Sequence, residues 1–190
     1  FGSTYEKKFD KALIKDVKSN DVFFDIGANR GHYIKNYLDL GCKIYAFEPD
    51  KSNFKYLCKS FGNNKNVTLI NAALGNKSCK IGFNSINENE GVNSSVNEKS
   101  DELVEMYSLD DFCDKYEIIP NVIKIDVEGY EIEVLNGSKK TLSNKSLFKI
   151  GIEIHNSILN KNGYKSPNKF VASFLRNYGF KVQFPDFSHA

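Results

Sequence analysis

The segment Asp25-Ile26-Gly27-Ala28-Asn29-Arg30-Gly31 constrains the fold of this chain more than any other. It follows the apolar run Val22-Phe23-Phe24 and precedes Tyr33, Ile34, Tyr37 and Leu38, which fall at helical spacing. A short apolar run closed by glycine predicts a buried strand, and the change of period after it predicts a helix. Gly27 permits a tight turn, and Gly31 lets the helix begin close to the strand. Backbone amides at the helix start then face a ligand with no side chain between. Asn29 stands where the middle glycine of G-x-G-x-x-G would, and asparagine tolerates positive φ better than most residues.

The same unit repeats along the chain. Lys43–Phe47 predicts a second strand, and Asp50 caps a helix with Phe54, Leu57 and Phe61 on one face. Val67–Ile70, Val122–Val127, Phe148–Ile154 and Phe180–Phe184 read as further strands. Ser108 opens a helix with Asp111 in a capping-box position, and Ser166-Pro167 opens another. This alternation predicts an α/β fold: a doubly wound, mostly parallel central sheet with helices on both faces. One domain over residues 1–190 is expected, with a helical segment at 1–20 carrying Phe9, Leu13 and Val17. A hairpin and long loop are expected at 75–107, where Asn, Glu, Ser and Gly dominate. Loops of that length are usually functional or mobile.

Glu48 lies 21 residues after Gly27, at the end of the second strand. An acid at about that distance is where doubly wound proteins bind ribose hydroxyls. Its charge would repel a phosphate on the ribose. Asp25, just before the glycines, disfavours a diphosphate and suits an amine or sulfonium. S-adenosylmethionine carries both cations, which favours a methyl donor over NAD.

Composition excludes other classes. With 26 Lys+Arg against 24 Asp+Glu the net charge is +2, and hydrophobic residues make up 41%. Disorder is excluded, and a pI of about 8.2 lies below the roughly 9 typical of nucleic-acid binders. Duplex nucleic acid is not an expected partner. No apolar run approaches the ~18 residues of a membrane span. Cys42, Cys58, Cys79 and Cys113 are scattered, which predicts reduced thiols and a cytoplasmic location.

Four ordered motifs make the chain resemble the FkbM family of methyltransferases. They are Phe24-Asp25-Ile26-Gly27-Ala28-Asn29-x-Gly31, Ala46-Phe47-Glu48-Pro49, Ser108-Leu109-Asp110-Asp111-Phe112 and Ile123-Lys124-Ile125-Asp126-Val127-Glu128-Gly129-x-Glu131. The resemblance implies a class I methyltransferase (Rossmann-like) fold, with a seven-stranded sheet whose last strand is antiparallel. It implies S-adenosylmethionine as donor and a hydroxyl on a sugar, glycan or small natural product as acceptor. Carried residue by residue, Asp25, Gly27, Asn29 and Gly31 would hold the methionine part, and Glu48 the ribose. Asn71 and Ala72, with Ala73, would lie by the adenine. Ala28 and Pro49 belong to the same motifs and count as cofactor-binding. Asp126 would face the methionine amine or the acceptor.

Methyl transfer to a hydroxyl needs alignment of acceptor, methyl and sulfur. A base for the hydroxyl proton can help. Asp126, Glu128 and His155 are the leading candidates for catalytic roles, with Glu131 and Glu153 behind them. Their spacing follows no fixed metal motif, so no metal is expected. Ser94-Ser95, Tyr5 and Tyr130 are candidate acceptor contacts; His32 is at most pocket lining, and His189 carries no signal. An NAD-dependent epimerase would need Tyr-x-x-x-Lys, and none of Tyr5, Tyr56, Tyr107 and Tyr116 has Lys four residues on. The absence of an N-P-P-Y-type clamp disfavours a nucleic-acid methyltransferase. A non-catalytic S-adenosylmethionine-binding scaffold is the main alternative, and the intact Asp25, Glu48 and Asp126 argue against it. Oligomeric state is not legible.

Overall fold

The computed structural model describes residues 4–84, 95, 96, 100 and 102–184. The chain starts with α1 (Thr4–Ile14), then β1 (Val22–Ile26), α2 (His32–Asp39), β2 (Lys43–Phe47), α3 (Lys51–Phe61) and β3 (Val67–Ile70). Next come β4 (Ala73–Gly75), β5 (Cys79–Asn84), β6 (Ser95–Val96), β7 (Leu103–Ser108) and α4 (Leu109–Tyr116). The remainder is β8 (Val122–Ile125), α5 (Glu131–Asn136), α6 (Lys139–Leu142), β9 (Lys149–Ile152), α7 (Asn156–Lys161) and α8 (Pro167–Asn177).

A five-stranded parallel sheet runs β3-β2-β1-β8-β9. Alternation within its strands sends side chains to two cores. Phe23, Ile44 and Val122 join Leu13, Ile34, Tyr37 and Leu57 of α1, α2 and α3 on one face. Phe24, Phe47 and Ile123 join Leu109 and Phe112 of α4, Ile132 of α5 and Val171 of α8 on the other. Phe23 stacks on Tyr37 with ring centroids 3.5 Å apart. Strands buried on both faces read as continuous apolar runs, which is why they were legible. The chain leaves β1 for β2 on one side and reaches β8 on the other, so the switch point lies at the carboxyl ends of β1 and β8, where such sheets bind ligands.

Several expectations are corrected. The central sheet has five strands among the described residues, not seven. Phe180–Phe184 forms no strand; Phe180, Val182 and Phe184 line an apolar groove of about 1330 Å³ beside the outer strand β9. In 75–107 the expected hairpin strand is β5, but it belongs to a second sheet, β4-β7-β5-β6, in which β7, placed in the expected loop, pairs parallel with β4 and antiparallel with β5. Val104 and Met106 alternate with exposed Leu103 and Glu105 in β7, a period-2 signal hidden among polar neighbours. Residues 85–94, 97–99 and 101 of that stretch, Ser94 included, and His189 lie outside the described residues, as do the side chains of Tyr5 and Ser95.

Two caps also differ in detail. Ser108 Oγ accepts from Asp111 N at 3.0 Å, but the return bond is absent. Ser78 takes that place, accepting from Ser108 N and donating to the Asp111 carboxylate. Those hydroxyl bonds, Ser78 first, hold the Asp111 carboxyl below its usual range. Ser166 sits at φ 53 and makes no side-chain cap, although Pro167 does open α8.

Candidate active site

The β1–α2 turn is built as its glycines require. Gly27 has φ +81, and a Cβ there would lie 1.8 Å from the Asp126 carbonyl oxygen. Only glycine allows the β1 and β8 loops to close at that distance. Asn29 takes the left-handed conformation with φ 49. Gly31 is also left-handed, but a Cβ there would meet Phe61 and Leu57 of α3 at 2.6 and 2.9 Å. Its role is therefore helix packing, away from the pocket.

Glu48 ties the first two loops together. Its Oε2 accepts from Asn29 N at 2.7 Å and its Oε1 from Asp50 N at 2.8 Å. Gly27 N and Ala28 N both donate to Phe47 O at 3.0 Å. Asn71 Nδ2 donates to the carbonyls of Glu48 and Pro49 at 2.8 and 3.1 Å, bracing the end of β2 against the end of β3. Burial pushes the Glu48 carboxyl up to about 7, against the two amide bonds that favour its charged form.

A pocket opens between these loops and the β8 loop. Gly27, Asn29, Glu48, Pro49, Ala72 and Asp126 line it, together with Glu128 and Tyr130. Asn53, Leu74, Phe83 and Val96 also line it and escaped the sequence reading. Phe83 and Val96 come from the second sheet, where they pair across the antiparallel β5–β6 hairpin. The pocket encloses about 110 Å³.

Asp25, Ala28, Gly31 and Asn71 do not line the pocket. Asp25 is fully buried, with Lys124 Nζ 3.6 Å from its Oδ1. Lys124 Nζ also lies 3.2 Å from Asp126 Oδ2 and 3.4 Å from Gly27 O, and 4.7 Å from the Tyr33 ring centroid. Asp25 and Lys124 are register partners on β1 and β8, so their side chains leave the same face. Burial would lower the Lys124 ammonium, but the Asp25 and Asp126 carboxylates outweigh it and hold its pKa above the ordinary value. Burial raises Asp25, with the Lys124 charge opposing. Tyr33 donates to Asp10 Oδ1 at 2.7 Å, which brings α1 over this pair. His32 is exposed beside Asp10 and lies outside the pocket.

The β8–β9 side gathers the other candidates. His155 Nδ1 lies 2.7 Å from Oε1 of Glu131, which has no exposed surface. Gly129 N donates to the same oxygen at 3.0 Å. His155 Nε2 faces the opposite way, 3.4 Å from Glu128 Oε2 and 3.8 Å from Asp126 Oδ1. Glu128 and Gly129 both have positive φ, 51 and 93, and this turn folds Glu128 back toward His155. Glu153 follows β9 on the same rim, and burial raises its carboxyl, with Asp126 adding to the effect. The Glu131 hydrogen bond, with the surrounding carboxylates, pushes His155 up to about 9 against burial. The rim bears more carboxylate than cationic charge, which suits a cationic ligand.

A parallel sheet with a glycine turn, a ribose-type acid after the second strand and an acid-rimmed pocket at the switch point defines a class I methyltransferase domain. The chain belongs to the FkbM methyltransferase family: residues 25–182 match the methyltransferase FkbM domain. It is 26% identical over 152 residues to hexuronic acid methyltransferase AglP of Haloferax volcanii, covering 79% of this chain and 62% of that protein. It is 25% identical over 191 residues to the 2-O-methyltransferase NoeI of Sinorhizobium fredii, covering 88% of this chain and 76% of that one. Among solved structures it is similar to precorrin-6y C5,15-methyltransferase of Geobacter metallireducens, with TM-score 0.51, 18% identity and coverage of 94% and 72%. It is also similar to precorrin 8w decarboxylase of Methanobacterium thermoautotrophicum, with TM-score 0.54, 17% identity and coverage of 96% and 76%. The last two likenesses concern the fold alone. No helix among the described residues is long and apolar enough to cross a membrane.

Proposed function

We propose that this domain transfers a methyl group from S-adenosylmethionine to a hydroxyl of a sugar, glycan or small natural product. The observation that carries the donor is Glu48, a carboxylate on the pocket wall with both oxygens oriented by backbone amides. Each oxygen keeps a lone pair for a ribose hydroxyl. Gly27, Asn29 and Ala72 supply the backbone beside it, and Asp126 lines the pocket toward the donor's methionine end or the acceptor. The acceptor class is supported by the two relatives, one acting on hexuronic acid and one named for 2-O transfer. The four cysteines are free, which supports a reducing compartment such as the cytoplasm.

In this reaction an acceptor oxygen lone pair forms the bond to the methyl carbon. The carbon–sulfur bond breaks with its pair going to sulfur, and the donor becomes a neutral thioether. The hydroxyl proton passes to a carboxylate on the pocket wall, Asp126 or Glu128. His155 acts as a positioning residue, fixed by Glu131. The test is calorimetric titration with S-adenosylmethionine and with NAD, followed by transfer of labelled methyl to free hexuronic acids and simple glycosides. Donor binding that Glu48→Ala weakens, with label appearing on oxygen, is the expected result. Binding of neither cofactor overturns the reading.

A further inference from the structure

We propose that Asp126, Glu128 and His155 form a site for one divalent transition-metal cation at the acceptor side of the pocket. One ligand atom from each lies within 4.8 Å of the other two, with His155 Nε2 at 3.4 Å from Glu128 Oε2 and 3.8 Å from Asp126 Oδ1. Metal bonds of about 2.0–2.2 Å in tetrahedral or octahedral geometry separate neighbouring ligand atoms by roughly 3–4 Å, so small rotations close this set.

A second observation stands behind the geometry. Glu131 is fully buried, and its Oε1 grips His155 Nδ1 at 2.7 Å, on the far side of the ring from the two carboxylates. Metal-binding histidines are held in this way, with a carboxylate on one nitrogen and the ion on the other. Its Oε2 has no hydrogen-bond partner among the described residues. A dication on Nε2 draws the imidazole's remaining hydrogen bond toward Glu131 and neutralises Asp126 and Glu128 together.

The donor set selects the ion class. One imidazole nitrogen with two carboxylate oxygens suits Mn²⁺, Fe²⁺ or Zn²⁺ better than Ca²⁺ or Mg²⁺, which take oxygen ligands. Three protein ligands leave coordination positions open. Asp126 and Glu128 line the pocket, so those positions face it. If the methyl-transfer reading holds, they take the acceptor hydroxyl and a neighbouring hydroxyl or carboxylate oxygen. The acceptor's proton then passes to water at the pocket mouth.

The cation and the imidazole proton compete for one negative cluster, so the test is run at pH 8 with the full chain after chelator treatment. Free Mn²⁺ is followed by electron paramagnetic resonance during titration, with circular dichroism to confirm folding of each variant. The wild type is expected to take up one Mn²⁺ per chain. Glu128→Gln, at a residue a third exposed, should weaken uptake at least tenfold, and Glu131→Gln by about 10–100-fold. Absence of stoichiometric uptake, or folded Glu128→Gln and His155→Asn chains that bind as tightly as wild type, overturns the site. A parallel titration with S-adenosylmethionine in chelator separates the two readings. Donor binding without Mn²⁺ uptake overturns the metal site and leaves the methyltransferase reading, whereas Mn²⁺ uptake without donor binding does the reverse.

Discussion

On the β1–β2 side of the rim, backbone holds side chain: Glu48 is fixed by two amides, and the turn is shaped by Gly27 and Asn29. On the β8–β9 side, charge holds charge: Lys124 sits between Asp25 and Asp126, and His155 between Glu131 and Glu128. The first arrangement is preorganised by chain geometry and presents one carboxylate. The second depends on a balance of ions that any new cation, proton or substitution disturbs. A half built from backbone should fail by steric change, and a half built from charges should fail by loss of one partner.

The largest expected effect comes from breaking the buried pair. Lys124→Met leaves the buried Asp25 without its cation and should cost about 3–5 kcal/mol of stability, read by urea unfolding. Adding Asp25→Asn should recover much of that loss. A double variant no more stable than Lys124→Met would show that Lys124 acts through packing. Gly27→Ala tests the other half. Its methyl would strike the Asp126 carbonyl at a positive φ, so about 2–4 kcal/mol should be lost.

Smaller effects concern the donor. Glu48→Ala should weaken S-adenosylmethionine binding by about 2–3 kcal/mol, roughly 30–150-fold, while leaving Mn²⁺ uptake at the other half intact. Ribose hydroxyls donate to the ionised Glu48, whose carboxyl titrates at about 7 in the free chain. Donor affinity should therefore rise about tenfold from pH 6 to pH 8 and level off above, and Glu48→Gln should flatten that profile. For stability the sign is opposite. The folded pKa lies above the ordinary 4.5, so Glu48 favours the fold most at low pH and this contribution is lost as pH rises through about 7. Asn71→Ala removes only the brace between β2 and β3. It should cost about 0.5–1 kcal/mol of stability, and a much larger loss would mean that Asn71 also meets the ligand.

Much of the first half was legible because its signals are local. Gly27, Asn29 and Glu48 belong to one β-α-β unit, in which a turn, a helix and the next strand follow in order. Lys124 was less legible as a site element. A lysine inside Val122-Ile123-Lys124-Ile125 signals a buried charge, but its partner Asp25 is identified only once β8 is known to lie beside β1. The trio of Asp126, Glu128 and His155 was legible as residue types at strand ends. Their spacing matched no metal motif because His155 comes from the end of β9, far along the chain, and a turn at positive φ folds Glu128 back toward it. The hairpin strand β5 of the second sheet was legible, but β4 and β7 are separated by β5 and β6 and pair in parallel, which no hairpin signal announces.

The amino-acid sequence by itself determined the alternation of strands and helices, the glycine turn and the acid after β2. Those depend on periodicity and on φ/ψ preferences within a few neighbouring residues. The tertiary structure alone decided which face Asp25 occupies, that Lys124 neutralises it, and that His155 meets Glu128 and Glu131. Those contacts arise from strand order and register, which join residues far apart in the chain and are set by burial of the two cores rather than by local preference.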